Sequence, residues 1–573
     1  MKRFLTWLGM ALGSLLYACG PVTPVPTPPA ENTAVRGVVI AEEGGPMSGA
    51  TVRVKATDRE ATTDSQGRFT LSGLTPGAAV FVTAWKSGYY INGVKDVPPG
   101  AGDVKIVLHA HANVDNPDYV WQPSTHHEGQ GENQGCAQCH SNAGTDITFT
   151  LPVDEWRQDA HSKTAVNPRF LTMYTGTDMS GNKSPQTRYG FSRDYGRFPL
   201  RPDPTQPYFG PGYKLDFPDT AGNCAACHTP VASINAPYGT DPTTVSGVAS
   251  EGIPCDFCHK VWDVQLKPDT GLPFANMPGV LSFHFRRPPE GHQFFAGPFD
   301  DVAPGEDTYT PIQRQGQYCA PCHFGKFWDT QIYNSFGEWL ESPYSNAERA
   351  RAAGLSSSKT CQDCHMPHLG ATHFARPDKG AAERDPQTIF SHLMPGAAST
   401  DLLQSAVTMS VATRREGDRV IAEVTIVNDR TGHHVPTDSP LRQMILLVRA
   451  TDGEGHTLPL QDGPTVPTWG GVGDPTEGYY AGLPGKAFAK VLMELWTEIA
   501  PTGAYWNPTR IVSDNRLAAF ATDTSTYTFA APNNGNATVE VKLIFRRAFK
   551  TLMDQKGWEA PDIVMEQAVV PIP

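Results

Sequence analysis

Ten of the eleven cysteines in this 573-residue chain occur in five copies of one frame, Cys-x-x-Cys-His. Two thiols at this spacing can both add to the vinyl groups along one porphyrin edge, and the histidine that follows can ligate the iron. The frames are Cys136, Cys139 and His140; Cys224, Cys227 and His228; Cys255, Cys258 and His259; Cys319, Cys322 and His323; and Cys361, Cys364 and His365. The pattern predicts five covalently bound haem c groups, with the five histidines as proximal iron ligands.

Paired cysteines also build tetrahedral zinc sites, which is the alternative interpretation of these frames. Every one of the five pairs, however, is followed directly by a histidine. The chain also begins with an export signal, and c-type haem is attached outside the cytoplasm. Both features favour haem, and the frames leave no cysteine pair for a disulfide framework.

The five frames lie close together along the chain. They fall between residues 113 and 400, which leaves fewer than 60 residues for each frame. A globule of that size cannot insulate five porphyrins from one another. Neighbouring haems are therefore expected to lie close enough for direct electron tunnelling, so the number of haems predicts electron transfer as a function.

A short repeat follows the first and fourth frames. Trp156, in EWRQDAH, and Trp339, in EWLESPY, each lie 20 residues after the first cysteine of a frame. The repeat superposes His161 on Tyr344. His161 is therefore predicted as a sixth iron ligand presented from a helix, whereas a tyrosine in the second copy indicates one open or differently capped haem. The alternative is a packed helix with His161 at the surface.

The N-terminal residues predict export. A charged start and an apolar run of 14 residues form a signal peptide over residues 1–18, too short to span a bilayer, which needs about 20 residues. The segment LYAC resembles the lipobox of bacterial lipoproteins and makes Cys19 the predicted lipid attachment site, with the Pro-rich residues 19–33 as a tether. We expect a protein held by its lipid anchor alone at the outer membrane, on the periplasmic or cell-surface face. An ordinary signal peptide is the alternative.

The remaining chain predicts a multidomain fold. Residues 34–112 contain short alternating strands separated by turn residues, which indicates a small β-sandwich. Residues 113–400 lack regular periodicity and indicate a mainly α-helical or irregular multihaem domain. Residues 401–573 return to alternating strands and indicate a second β-sandwich. The net charge of −13 leaves no basic surface typical of nucleic-acid binding, so nucleic acid is excluded as a partner.

Two regions resemble known families. Residues 34–112 resemble carboxypeptidase regulatory-like (transthyretin-like) domains through PMSGATVRV, TDSQGRFTLSGL and KSGYY. Residues 113–400 resemble multihaem c-type cytochromes of the cytochrome c554 and hydroxylamine oxidoreductase class through EWRQDAH, GNCAACHTP, GIPCDFCHK and KTCQDCHMPH. The second resemblance implies stacked haems with two histidine ligands each. The crosslinked tyrosine of the catalytic haem in that class cannot be matched to a residue of this chain, so the resemblance does not imply hydroxylamine chemistry.

Thirteen histidines lie outside the frames, and four or five of them should be distal ligands. Two follow from resemblance: the histidine of TIFSHLMPGA is similar to one that follows the last frame in this class, and NDRTGHHVPT resembles a turn in appended β-domains. Two more lie in loops, in EGHQFFAGP and in the His-His pair before the first frame. For these four, a solvated loop histidine is the alternative. With the repeat, the candidates are His161, His392, His433, His292 and His127.

These features favour an electron carrier whose partners are other redox proteins, namely cytochromes, quinol-linked donors or terminal reductases. Two imidazoles on one iron exclude substrate and favour one-electron transfer. An open sixth position instead permits chemistry on a small nitrogen or sulfur compound, and this oxidoreductase alternative places it at the haem opposite Tyr344. A surface adhesion subunit, suggested by the two terminal β-regions, is a third possibility.

Overall fold

The computed structural model describes residues 33–127, 135–302, 305–532 and 535–572. The signal peptide, Cys19 and most of the tether lie outside the described residues. Strand, at 28%, exceeds helix, at 19%, and the helices are short. Within the described ranges, no helix combines the length and hydropathy needed to cross a bilayer.

The N-terminal part is sandwich-like, as predicted. One sheet has the order β4-β1-β7, with β1 parallel to β7, and the other has the antiparallel order β3-β2-β5-β6. Val52 and Val54 are buried, whereas Thr51 and Arg53 are only partly buried. The alternation in the sequence therefore identifies the face of β2 that points inward. The strands are β1 Val35–Ala41, β2 Thr51–Val54, β3 Glu60–Thr62, β4 Arg68–Leu71, β5 Val80–Trp85, β6 Asn92–Val97 and β7 Val104–Leu108.

The middle of the chain consists of short helices, two-stranded ladders and connecting turns. The helices are α1 Ala137–His140, α2 Pro152–Trp156, α3 Pro168–Thr175, α4 Tyr213–Asp216, α5 Ala225–His228, α6 Pro230–Ser233, α7 Cys255–Lys260, α8 Ser335–Glu341, α9 Ala347–Ala352 and α10 Cys361–His365. The paired strands are β8 Tyr189–Ser192 with β9 Gly196–Pro199, β10 Val261–Val264 with β11 Phe283–Phe285, β12 Phe295–Gly297 with β13 Asp307–Tyr309, and β14 Gly325–Phe327 with β15 Thr330–Tyr333. Short helices, short strand pairs and irregular turns therefore make up the region for which a mainly α-helical or irregular fold was predicted.

The C-terminal part holds two four-stranded sheets over one hydrophobic core, to which Val424, Leu446 and Val541 contribute. The first sheet, in order, is β16 Thr408–Glu416, β17 Arg419–Val427, β23 Thr522–Ala530 and β19 Leu460–Asp462. The second is β20 Gly485–Phe488, β18 Gln443–Asp452, β24 Ala537–Arg546 and β25 Ile563–Ile572. A separate ladder pairs β21 Lys490–Glu494 with β22 Thr509–Asp514, and two helices, α11 Thr400–Gln404 and α12 Lys550–Lys556, flank the sheets.

A buried lysine fixes α12 against the middle of the chain. The Nζ atom of Lys556 donates to the carbonyl oxygens of Thr172 and Thr177 at 3.0 and 2.9 Å. Trp558 Nε1 also donates to Thr172 Oγ1 at 3.0 Å. These bonds hold α3 beside the segment that follows β24.

The N-terminal sheets contact the middle region through β13. Trp85 Nε1 donates to Thr308 Oγ1 at 3.1 Å, and its ring packs edge-on against Tyr309. The backbone N–H of Ile91 donates to the carbonyl oxygen of Asp307 at 2.8 Å. Burial raises the pKa of the Asp307 carboxyl to about 7, although the ammonium groups of Lys260 and Lys55 act in the opposite direction.

The raised pKa of Asp307 predicts a pH-dependent stability. The folded state binds more protons than the unfolded chain between pH 4 and 7, so Asp307 stabilises the fold at low pH and loses this contribution as pH rises through 7. We expect the free energy of unfolding of the wild type to fall by about 2 kcal/mol more than that of Asp307→Asn between pH 5 and 8. Denaturant unfolding at both pH values measures the difference; equal pH slopes in the two proteins would contradict the prediction.

Candidate haem-binding sites

Each Cys-x-x-Cys-His frame folds into a single tight turn. We number the frames motif 1 to motif 5 in chain order. Motifs 1, 2, 3 and 5 form α1, α5, α7 and α10, and motif 4 continues a 3-10 turn, Gly316–Cys319. In motif 4, as in motifs 1 and 2, the histidine N–H donates to the carbonyl of the first cysteine. Positions i, i+3 and i+4 of a helical turn share a face, so both thiols and the imidazole of each motif lie on one side.

The motifs contact one another through their thiols. The Cys136 thiol contacts Cys255, Cys319 contacts Cys361, and Cys227 contacts Cys322. Tyr318, which precedes motif 4, donates from its hydroxyl to the carbonyl of Cys258 in motif 3 at 2.9 Å. The contacts therefore join motif 1 to motif 3, motif 3 to motif 4, and motif 4 to both motif 2 and motif 5. Within the described residues, no group of three or more His, Cys, Asp and Glu side chains is placed to hold a metal ion directly.

Three motif histidines are oriented by backbone carbonyls. An Nδ1–H that donates to a carbonyl fixes the tautomer and leaves the Nε2 lone pair available for a metal. The Nδ1 atoms of His140, His259 and His365 lie 2.7, 2.8 and 2.8 Å from the carbonyl oxygens of Phe374, Ala296 and Pro395.

The other two motif histidines differ. His323 Nδ1 lies 3.6 Å from the carboxylate of Asp438, which replaces the carbonyl by a negative charge. Burial lowers the pKa of His228 to about 4, and a contact with the backbone of Thr164 acts in the opposite direction. The ring of His228 stacks face to face on Phe170 at a centroid distance of 3.8 Å, so an aromatic side chain packs directly on the histidine of motif 2.

Two predicted distal histidines lie close to motif histidines. The ring centroids of His161 and His323 are 6.3 Å apart, and those of His433 and His365 are 6.2 Å apart. Two imidazoles on opposite sides of one metal ion hold their ring centres roughly 6 Å apart, because each metal–nitrogen bond is about 2 Å. The Nδ1 atoms of His161 and His433 have acceptors of their own, Asp159 Oδ2 at 2.7 Å and the His434 carbonyl at 2.9 Å. The residues at motifs 4 and 5 therefore fit haem iron with two histidine ligands.

The other three candidates have different surroundings. His392 is half-buried, and desolvation together with the nearby imidazoles of His259 and His140 lowers its pKa to about 4. It is the candidate distal residue for motif 3 or motif 1. His127 Nε2 lies 2.6 Å from Glu251, and the largely exposed His292 has its Nδ1 2.7 Å from Glu306. None of the described ring contacts places either of these two opposite a motif histidine.

The Glu-Trp repeat connects the motifs to the loops that carry distal histidines. Trp156 and Trp339 donate from Nε1 to the carbonyls of the residues two positions before motif 3 and motif 5, at 2.9 and 2.8 Å. Glu155 accepts the backbone N–H of His392 at 2.6 Å. Glu338 accepts the backbone N–H of His434, next to His433, at 3.1 Å. The repeat in the sequence aligns Glu155 with Glu338, but the contacts of these two glutamates with the loops that carry distal histidines were not predicted.

Tyr344 does not lie opposite a motif histidine among the described ring contacts. Its ring is buried and packs against Phe520 at 5.2 Å. His161, from the first copy of the repeat, instead lies close to His323 of motif 4, the motif that precedes the second copy. Among the described ring contacts, no imidazole faces His228 of motif 2, and none of them places Tyr344 at a motif histidine, so the open position inferred from Tyr344 has no support at Tyr344 itself.

Glu338 predicts a large effect on stability. It is buried, and its Oε1 pairs with Arg516 at 2.7 Å while Oε2 accepts the His434 N–H. Glu338→Ala leaves a buried guanidinium and a backbone N–H with fewer partners, so we expect a loss of about 3 kcal/mol in the free energy of unfolding. Glu341→Ala, on the exposed side of the same helix, is the matched control. Equal denaturation midpoints of the two variants would contradict this role.

Comparison with known proteins identifies the N-terminal part. A family model described as carboxypeptidase regulatory-like domain matches residues 34–110. No curated protein matches the chain.

Among solved structures, the chain is similar to a penta-haem cytochrome c552 from Thermochromatium tepidum, with 17% identity over 76% of this chain and 97% of that chain and a TM-score of 0.49. It is also similar to a mutant type II cohesin-X-dockerin complex from Acetivibrio cellulolyticus, with 23% identity over 14% of this chain and 58% of that chain and a TM-score of 0.13. The GAE domain of GGA2p from Saccharomyces cerevisiae gives 12% identity over 29% and 90% and a TM-score of 0.13. Residues 34–110 therefore form a carboxypeptidase regulatory-like domain.

Proposed function

We propose that the chain is an exported, lipid-anchored pentahaem c-type cytochrome that carries electrons to a redox partner or an external acceptor. One observation carries the proposal: contacts between pairs of motifs join all five Cys-x-x-Cys-His turns into a single connected network. Haem c bound at these turns supplies one-electron redox chemistry. Proximity of the turns is what a through-space electron carrier requires, and it needs no separate catalytic constellation.

At motifs 4 and 5, the surrounding residues favour electron transfer rather than catalysis. His161 and His433 stand about 6 Å from the motif histidines, ring centre to ring centre, so they exclude a substrate from both sites. The acceptors on their Nδ1 atoms hold the imidazoles in one orientation and reduce reorganisation. A rigid site of this kind favours fast one-electron exchange.

Export and anchoring complete the proposal. The predicted signal peptide and the predicted acylation of Cys19 support a location outside the cytoplasm, at the outer membrane. The redox partners are then other cytochromes, quinol-linked donors or terminal reductases. No chemistry is assigned to the carboxypeptidase regulatory-like domain, which packs on β13 beside motif 3.

A second candidate function rests on His228. Because Phe170 stacks on this residue and no imidazole faces it among the described ring contacts, motif 2 is the site at which an oxidoreductase would act on a small nitrogen or sulfur compound. In this second candidate, the open ligand position of the haem iron is at motif 2 and not near Tyr344.

Low-temperature electron paramagnetic resonance separates the two functions. The mature protein is titrated with nitrite and with hydroxylamine, and turnover of both is assayed in parallel. An electron carrier gives signals that neither compound changes and shows no turnover, while it exchanges electrons with a second cytochrome in stopped-flow mixing. A high-spin signal that shifts with either compound, together with turnover, would replace the carrier by the oxidoreductase.

A further inference from the structure

The two-stranded ladder of β8 and β9 carries an exposed surface that is both aromatic and basic. We call residues 188–201, which contain this ladder, the basic hairpin. Phe191, which lies directly opposite Arg197 in the strand register, is 81% exposed, and Tyr195 in the connecting turn is 71% exposed. The basic hairpin contains four arginines and one aspartate, whereas the whole chain has a net charge of −13.

One side of the basic hairpin packs on the segment between β21 and β22. The ring of Phe198 stacks on Trp496 at a centroid distance of 5.8 Å, and Tyr195 packs edge-on against the same ring at 5.8 Å. Arg201 Nε donates to the carbonyl oxygen of Thr497 at 2.5 Å. These contacts hold the hairpin in one orientation on the rest of the protein.

The opposite side of the ladder faces solvent. Phe191 and Arg197 share this side, because neighbouring residues of a strand point to opposite faces and Phe198 points to the packed one. The guanidinium carbon of Arg197 lies 3.8 Å from the centre of the Tyr189 ring, which holds the cation beside the exposed phenyl ring. Exposed apolar groups on an ordered element mark an interaction surface when polar groups surround them.

The four arginines of the basic hairpin make no ion pair with a carboxylate of any described residue. Arg188 donates instead to the carbonyl oxygen of Arg201 at 3.4 Å. Within the hairpin, Asp194 in the turn leaves an excess of three positive charges. Asp203, which accepts hydrogen bonds from the Thr205 N–H and hydroxyl, and the exposed Glu498 flank the hairpin and reduce this excess without removing it.

We propose that the basic hairpin docks on an anionic lipid surface, with Phe191 and Tyr195 in the headgroup region and the arginines on lipid phosphates. Aromatic rings favour the membrane–water interface, and guanidinium groups bind phosphate oxygens in pairs. A fluid lipid surface accepts a projecting ring at any position, whereas a protein partner must supply a fitted pocket.

Charge complementarity also selects how the protein lies on the membrane. The net charge of −13 opposes adsorption through most of the surface, so attraction is confined to the basic hairpin. The choice of a membrane as partner rests on the proposed lipid anchoring, to which the hairpin adds a second contact. Two such contacts bind a membrane more firmly than one.

Vesicle binding of the exported full chain carrying Cys19→Ser, which removes the acylated residue, tests the hairpin alone. Co-sedimentation measures the protein bound to vesicles of phosphatidylcholine with and without phosphatidylglycerol. We expect binding that requires phosphatidylglycerol and weakens as salt is raised. Phe191→Ser should weaken it by about tenfold or more because an apolar ring no longer leaves water. Arg193→Gln combined with Arg197→Gln should weaken it by about tenfold or more because two surface charges are lost.

Matched controls change exposed residues outside the basic hairpin. Val472→Ser replaces an apolar side chain that is 74% exposed. Arg36→Gln combined with Arg59→Gln removes two exposed arginines of the N-terminal domain that have no described ion pair. Both controls should bind vesicles as the Cys19→Ser chain does. All variants should share one unfolding midpoint, since every replaced side chain is exposed or lies in the tether.

Three results would overturn the docking surface. One is a Cys19→Ser chain that does not bind phosphatidylglycerol vesicles, and another is hairpin variants that bind as tightly as the controls. The third is a dimer that Phe191→Ser disperses while vesicles stay unbound, which would assign the surface to a second copy of the chain. Mass analysis of the unsubstituted protein detects the acyl group and the haems separately. Their absence would refute the proposed function without changing the measured vesicle binding.

Discussion

Replacing His161 by alanine is expected to convert one of the haems of the mature protein from low-spin to high-spin. The imidazole of His161 lies 6.3 Å from that of His323, ring centre to ring centre, so its loss opens one axial position at motif 4 only. Electron paramagnetic resonance of the oxidised protein, combined with haem quantitation, measures the conversion. His161→Met restores a ligand of a different kind and is expected to raise the reduction potential of that haem relative to the wild type.

His456→Ala is the control for the His161 variants because the His456 side chain is 72% exposed and, within the described residues, its ring pairs with the carboxylates of Asp452 and Glu454. It should leave every low-spin signal unchanged. If His161→Ala also leaves the low-spin signals intact, the imidazole is not an iron ligand, and the proximity of the two rings is a packing contact.

Removing motif 4 by Cys319→Ala and Cys322→Ala is expected to have the largest effect on electron transfer. Motif 4 contacts motifs 2, 3 and 5, whereas motif 1 contacts motif 3 alone, so motif 4 is the branch point of the network. The double variant is expected to lose one porphyrin, and we expect the cavity that remains to lower the free energy of unfolding by about 3–5 kcal/mol.

The matched control is Cys136→Ala with Cys139→Ala, which removes the terminal motif. Stopped-flow reduction should become biphasic only in the motif 4 variant, with a slow phase roughly tenfold or more below the wild-type rate, because the remaining haems are separated into groups. Identical kinetics in the two double variants would show that contact between motifs does not determine the route.

The short-range parts of the site could be predicted from sequence. The Cys-x-x-Cys-His spacing places three functional groups on one helical turn, so neighbouring residues alone determine it. The strand alternation around Val52 and Val54 likewise identified an inward face before any sheet was known. The parallel pairing of β1 with β7 could not be foreseen, because it joins strands separated by the rest of the N-terminal domain.

The distal residues depend on long-range contacts and were predicted less completely. His161 was found because the Glu-Trp repeat marked its position, and the structure then brought it to motif 4 from a different part of the chain. His127 and His292 carry no sequence feature that reveals their carboxylate neighbours, Glu251 and Glu306.

Mass analysis of the matured protein tests the central claim most directly. Tryptic fragments should show one porphyrin joined to each of the five cysteine pairs, and the intact chain should be heavier than its polypeptide by five haem c groups. A colourless protein, or fragments whose motif thiols are unmodified or bind zinc instead, would contradict the claim that these turns hold haem.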